Sequence, residues 1–138
     1  MKNIKINYTK SYKNHFPEFD SNEEYYIIKI NSKEFDEYWQ KNSYLNEAFP
    51  NKSFCKRLNN YNNILNEIKT NKNHMIAYPI ISWVSKDSIK ISQGRHRIRA
   101  IIDSGAETIQ LAIKEKSLII IKQFLEVEII DKFIFLIK

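Results

Sequence analysis

Apolar and polar residues first alternate at residues 4–7, Ile-Lys-Ile-Asn, a period of two that predicts a short edge strand. Residues 14–22, with Pro17, read as a loop. Residues 25–30 are aromatic and β-branched throughout and predict a strand. At Ser32 the period changes. Ser32 suits a helix N-cap, Glu34 falls in the first turn, and the helix is expected to run to about Gln40. Phe35, Tyr38 and Trp39 share one face of it and are expected in the core rather than as a platform for stacking bases. Residues 41–51, holding Pro50, form a connection. A second amphipathic helix is expected over 53–69, where Phe54, Leu58, Tyr61, Leu65 and Ile68 recur at spacings of four and three. Its outer face carries Lys56, Arg57 and Lys69, which either flank an anion site or are simply solvated.

Residues 71–75 read as a turn, with His74 at the surface. Proline leads a strand over 79–84, at a position where a missing N–H is tolerated. A polar turn at 85–88 and a strand at 89–92 complete a hairpin. After a short helix comes a strand at 109–113. Ser117 is placed to cap a helix through about Glu126, and residues 127–137 suit a strand, with helix as the alternative. There is no internal repeat. The pattern implies a single α+β domain over residues 1–138, a mixed β-sheet with three to four helices.

Composition narrows the class. With 43% hydrophobic and 13% aromatic residues over 138 positions, the chain can bury one core. No apolar run is long enough to cross a membrane, and the start lacks the apolar stretch of a secretory leader. The single cysteine, Cys55, lies on an apolar helix face and is expected to be a buried small hydrophobe. A reducing, cytoplasmic setting is the simplest expectation. Neither His15 nor His74 has a second ligand at metal-binding spacing, so no metal site is expected.

The net charge of +6 is unevenly spread. Residues 16–47 hold eight acids and three bases, whereas residues 51–99 hold ten bases and two acids. A basic face of that kind attracts polyanions. The alternative is compositional, since a chain rich in Lys, Asn and Ile uses lysine as its ordinary surface residue.

The chemistry concentrates around the only two glycines, Gly94 and Gly105. They bracket a short helix whose first turn holds Arg95, His96, Arg97 and Arg99. Ile98, Ile101 and Ile102 form its apolar stripe, and the basic groups are expected at the rim. The first amides of a helix lack intrahelical partners, and the macrodipole makes that end partly positive. Cations there are mutually unfavourable unless an anion offsets them. Phosphate fits, because amides, dipole and arginine converge on it. Without a ligand, the same residues form a solvated basic helix start.

Gly94-Arg-His-Arg97, with a strand before it and a helix, a second glycine and a strand after it, resembles the signature of the bacterial ParB/sulfiredoxin superfamily. Small plasmid fertility-inhibition factors, with Gly-Arg-His-Arg at this turn, are the most similar in look. The resemblance covers residues 78–113. It implies a ParB/sulfiredoxin-like domain in which Gly94 gives the backbone approach to nucleotide phosphates and His96 and Arg97 contact them; Ser92, Gln93, Arg95 and Arg99 join them as candidate phosphate-binding residues from their place around the same turn. The implied ligand is CTP or ATP with Mg²⁺, or nucleic acid such as DNA. Arg95 stands where sulfiredoxins have their nucleophilic cysteine, so their thiol chemistry is absent. ParB proteins usually have glutamate there, and Gln110 replaces a common proline.

Two functions follow as expectations. In the first, the turn binds nucleotide or nucleic-acid phosphate, with His96 as acid/base of a weak nuclease or NTPase activity. Asp87 and Asp103 are the nearest acids in sequence and do not complete a catalytic set, so binding is better supported than catalysis. In the second, the chain is a non-catalytic inhibitor of a protein partner, such as a toxin-neutralising immunity protein or a fertility inhibitor of conjugation or secretion.

Overall fold

A computed structural model describes residues 4–10, 23–44 and 58–134. The expected loop at 14–22, the start of the second helix with Phe54 and Cys55, and His15 lie outside the described residues. Seven strands and four helices follow one another within them: β1 (Tyr8–Thr9), β2 (Glu24–Asn31), α1 (Ser32–Asn42), α2 (Leu58–Thr70), β3 (Ile76–Ala77), β4 (Ile80–Val84), β5 (Ile89–Gln93), α3 (Arg95–Asp103), β6 (Thr108–Lys114), α4 (Glu115–Ile121) and β7 (Glu128–Ile134). The α+β class and the mixed sheet stand as expected.

Five strands form the main sheet in the order β5-β4-β6-β2-β7, and β1 pairs in parallel with β3 beside it. Within the main sheet only β4 and β6 are parallel neighbours, joined at Ile80↔Ala112. The Pro79 carbonyl extends that junction by accepting from the Ala112 N–H at 2.9 Å. The β4–β5 hairpin closes through the Ser85 N–H on the Ser88 carbonyl at 2.8 Å. β2 runs antiparallel to both β6 and β7.

Alternation along β2 gives the sheet two apolar faces. Ile28 and Ile30 point to the helical layer, where Phe35, Trp39, Ile98, Ile101, Leu111, Leu118 and Ile121 close the main core. Tyr25 and Ile27 point the other way, onto Ile80, Ala112, Tyr78 and Phe133. Burying an isoleucine side chain contributes about 1.5–3 kcal/mol, so these strands hold the fold. Phe35 and Trp39 are fully buried, as the helical spacing predicts, while Tyr38 is half-buried and stacks on Phe124.

Several boundaries differ from the sequence expectation. The N-terminal strand forms at Tyr8–Thr9 rather than 4–7, where β3 is its partner: the Asn7 and Thr9 carbonyls accept from the Ile76 and Tyr78 N–H groups at 2.9 and 3.0 Å. The cap of α1 is Asn31, whose Oδ1 accepts from the Glu34 N–H at 3.0 Å, and Ser32 is the first helical residue. Ser117 does not cap α4. It lies inside the helix, and its hydroxyl accepts from the Val84 N–H at 3.3 Å, tying α4 to the sheet.

His74 also departs from expectation. It is buried at 4% exposure rather than solvated. Its Nε2 accepts from the Asn7 N–H at 3.1 Å, and its Nδ1 lies 2.7 Å from the Asn71 carbonyl oxygen. Those two contacts define the neutral tautomer with the proton on Nδ1. The imidazole therefore pins the segment leading into β1.

Candidate functional site

The turn into α3 is built by β5 and β4. Ser92 and Gln93 end β5, with Gln93 opposite Ile80. Gly94 then takes φ 100° and ψ 18°, left-handed backbone open to glycine at little cost. A Cβ built there would lie 2.8 Å from both Cα and Cβ of Pro79 and 2.9 Å from Nη2 of Arg97. The missing side chain thus makes room for Pro79 and for the Arg97 guanidinium.

The Gly94 carbonyl accepts from the Ile98 N–H at 2.8 Å, and Gly94, as the N-cap residue, has no side chain with which to cap the helix. Arg95, His96 and Arg97 are each half-buried around that end. At the other end, Gly105 has φ 94° and its N–H reaches the Ile102 carbonyl at 3.1 Å, which stops the helix as its glycine predicts. Ile98 and Ile101 are fully buried, as their stripe implies.

Arg99 departs from the set. It was expected at the rim beside Arg95, but its side chain is 2% exposed. Nη2 donates to Asp36 Oδ1 at 2.7 Å and Nη1 donates to Asp36 Oδ2 at 3.1 Å, a bidentate pair. Asp103, one turn on, receives Nη1 at 3.5 Å and also accepts from the Tyr61 hydroxyl at 2.7 Å. The guanidinium carbon lies 5.6 Å from the Trp39 ring centroid. Burial works against the charge, but Asp36 and Asp103 outweigh it and hold the guanidinium pKa above its ordinary value. A cation sealed in this way is a fixed element of the α1–α2–α3 junction, not a group that closes on an incoming phosphate.

Arg99 does not sit at the rim because α3 has neighbours on both sides: α1 supplies Asp36 and Trp39, and α2 supplies Tyr61. The Arg99–Asp103 spacing of four was legible in sequence. Asp36 was not, since nothing local distinguishes it from its neighbours Glu34 and Glu37. No three His, Cys, Asp or Glu side chains among the described residues lie close enough to hold a metal ion. Asp87 and Asp103 lie on separate elements, the hairpin turn and the far end of α3. No helix among the described residues is long and apolar enough to cross a membrane. No family model, curated protein or solved structure matches the chain.

Proposed function

We propose that the turn from Gly94 to Arg97 binds the phosphate of a nucleotide or nucleic acid. One observation carries the reading: a left-handed glycine opens α3, and Arg95, His96 and Arg97 stand together in the first turn behind it. Main-chain amides and helix dipole favour an anion there, and guanidinium groups can pair with it bidentately. The resemblance to the ParB/sulfiredoxin superfamily points the same way and names CTP or ATP with Mg²⁺. In this reading Arg95 and Arg97 supply charge, His96 is the acid/base of any nuclease or NTPase step, and Arg99 positions α3 without touching the ligand. Binding is the function, and a cytoplasmic setting accompanies it.

Thermal unfolding with CTP, ATP and short DNA, with and without Mg²⁺, tests the proposal. A ligand at 100 times its Kd adds about 2.7 kcal/mol of stability. Arg97→Ala should abolish that shift, and failure of every ligand to raise the wild-type Tm overturns the reading.

A second reading, an inhibitor that docks on a protein, draws on β7. This edge strand exposes Ile129, Ile130 and Ile134 at 46%, 45% and 54%, and edge strands with apolar side chains are sites for chain–chain contact. Unchanged Tm with all nucleotides, together with co-elution of a protein partner that charge substitution of Ile129 abolishes, favours it.

A further inference from the structure

The strand that leads into the Gly94 turn carries a second feature on its way there. Ile89 and Ile91 of β5 are buried in the core beneath the helices, so Lys90 between them stands on the opposite face of the sheet. Across the hairpin its partner is Trp83 of β4. On the other side of β5, Ser43 bridges Ile89 in parallel and brings Tyr44 alongside. Three segments thus place three side chains in a row. The Tyr44 and Trp83 rings meet edge to face, with centroids 5.6 Å apart and 69° between planes, and the Lys90 ammonium lies 5.4 Å from the Tyr44 centroid.

The fold uses none of the polar ends of this row. Among the described residues the Tyr44 hydroxyl, the Trp83 indole N–H and the Lys90 ammonium have no hydrogen-bond or ion-pair partner. Tyr44 keeps 38% of its surface exposed, and Trp83 and Lys90 are half-buried. Tyrosine and tryptophan held in this way, apolar body packed and polar tip in water, are the aromatic residues of interfaces. Trp83 and Lys90 also belong to the 51–99 stretch, whose bases outnumber its acids ten to two. Open rings beside a lysine without a carboxylate suit a ligand that is flat and negatively charged.

We infer that Tyr44 and Trp83 form the base-stacking platform for a single-stranded nucleic acid whose backbone passes Lys90 and continues to the Gly94 turn. A strand advances about 3.3 Å per residue, which puts Lys90 about 13 Å from Gly94 along β5. A nucleotide chain repeats base and charge at each step and so engages both ends of that span. Stacking accepts any base but needs it unpaired, which selects single strands over duplex. An exposed lysine–ring contact is weak, so Lys90 can turn from Tyr44 to a phosphate as a base arrives. The inference rests on the phosphate reading of the turn and names its ligand as a polymer rather than a mononucleotide.

Fluorescence anisotropy with a labelled oligo-dT of about ten nucleotides, the length one such surface covers, tests it, with duplex DNA, CTP and ATP as competitors. The single strand should bind tightest. Tyr44→Ala should weaken it about tenfold and leave CTP and ATP binding unchanged, while Tyr44→Phe keeps the affinity. Arg97→Ala should weaken oligomer and mononucleotide alike. Lys90→Gln should lower the slope of log affinity against log salt by about 0.7. Of the two tryptophans Trp39 is fully buried, so quenching by unlabelled oligomer should report Trp83 and vanish in Trp83→Phe. Mononucleotide binding with no gain for the oligomer, duplex binding tighter than single strand, full oligomer affinity in Tyr44→Ala, or unquenched Trp83 each overturns the inference and leaves the phosphate reading standing. Failure of every ligand, the oligomer included, overturns both.

Discussion

Arg99 and Asp36 stand 63 positions apart in sequence, yet the two terminal nitrogens of one meet the two carboxylate oxygens of the other at 3.1 and 2.7 Å. The pair joins α3 to α1 beneath the basic turn, with Trp39 beside the guanidinium. Removing one partner of a buried pair leaves an uncompensated charge. Asp36→Ala should therefore cost about 3 kcal/mol or more in urea unfolding, with a fall in Tm. Replacing both partners together, as Arg99→Met with Asp36→Leu, should recover most of that loss. Equal damage from the double and single variants would show that the ion pair is not what the site depends on.

The two glycines are predicted to differ. Both have positive φ, which costs a residue with a side chain about 1–2 kcal/mol. At Gly105 an added Cβ meets nothing within 4 Å, whereas at Gly94 it meets the Pro79 backbone at 2.8 Å. Gly94→Ala should thus destabilise more than Gly105→Ala by roughly another 1–3 kcal/mol, the usual cost of forced overpacking. Chemical denaturation of the two variants side by side decides it.

His74→Leu should leave the Asn7 N–H without its acceptor and the Asn71 carbonyl without the Nδ1–H donor. The Asn71 carbonyl keeps the His74 main-chain N–H at 3.2 Å and Asn7 is only part-buried, so the cost should fall at the low end of the range for a lost hydrogen bond, about 1 kcal/mol. Amide exchange at Asn7 and Ile76 should accelerate together, since the Ile76 N–H donates to the Asn7 carbonyl at 2.9 Å. Exchange confined to Asn7 would mean that the segment is held from elsewhere.

Asp131 carries a pH prediction. Its hydrogen bond from Lys10, aided by the Lys132 N–H, holds its pKa below the ordinary aspartate value. The folded carboxyl being the stronger acid, its contribution to stability is present above the unfolded aspartate value of about 3.9 and is lost as pH falls through the lower folded one. Both partners are about half exposed, so the effect on stability is small and salt-sensitive. Carboxyl-carbon NMR titration should place Asp131 below the ordinary aspartate value, and Lys10→Met should raise it.

The elements legible in sequence are those whose signal is periodic. Residues 25–30 and 109–113 alternate or run apolar because the sheet buries both faces, and Phe35 and Trp39 recur with the helix that hides them. The cap of α1 fell one residue late because Asn31 and Ser32 are both competent caps and only backbone geometry chooses between them. His74 was illegible: its partner Asn7 lies 67 positions away and offers a main-chain N–H, which has no sequence signature. The Gly94 turn was found from glycine and charge alone. The division of its arginines was not, because whether a helix flank meets water or Asp36 depends on which helices pack beside it.

The left-handed residues that open and stop α3 are the chain's entire complement of glycine, with ten positions between them. A left-handed backbone disfavours side chains at both points, and at Gly94 the close approach of Pro79 adds to it, so isoleucine exchanged for valine or lysine for arginine elsewhere is easier to accept than replacement of either glycine. A remote cousin of this protein is expected to keep that interval as a ruler, together with a small residue or proline two strands upstream of the first glycine.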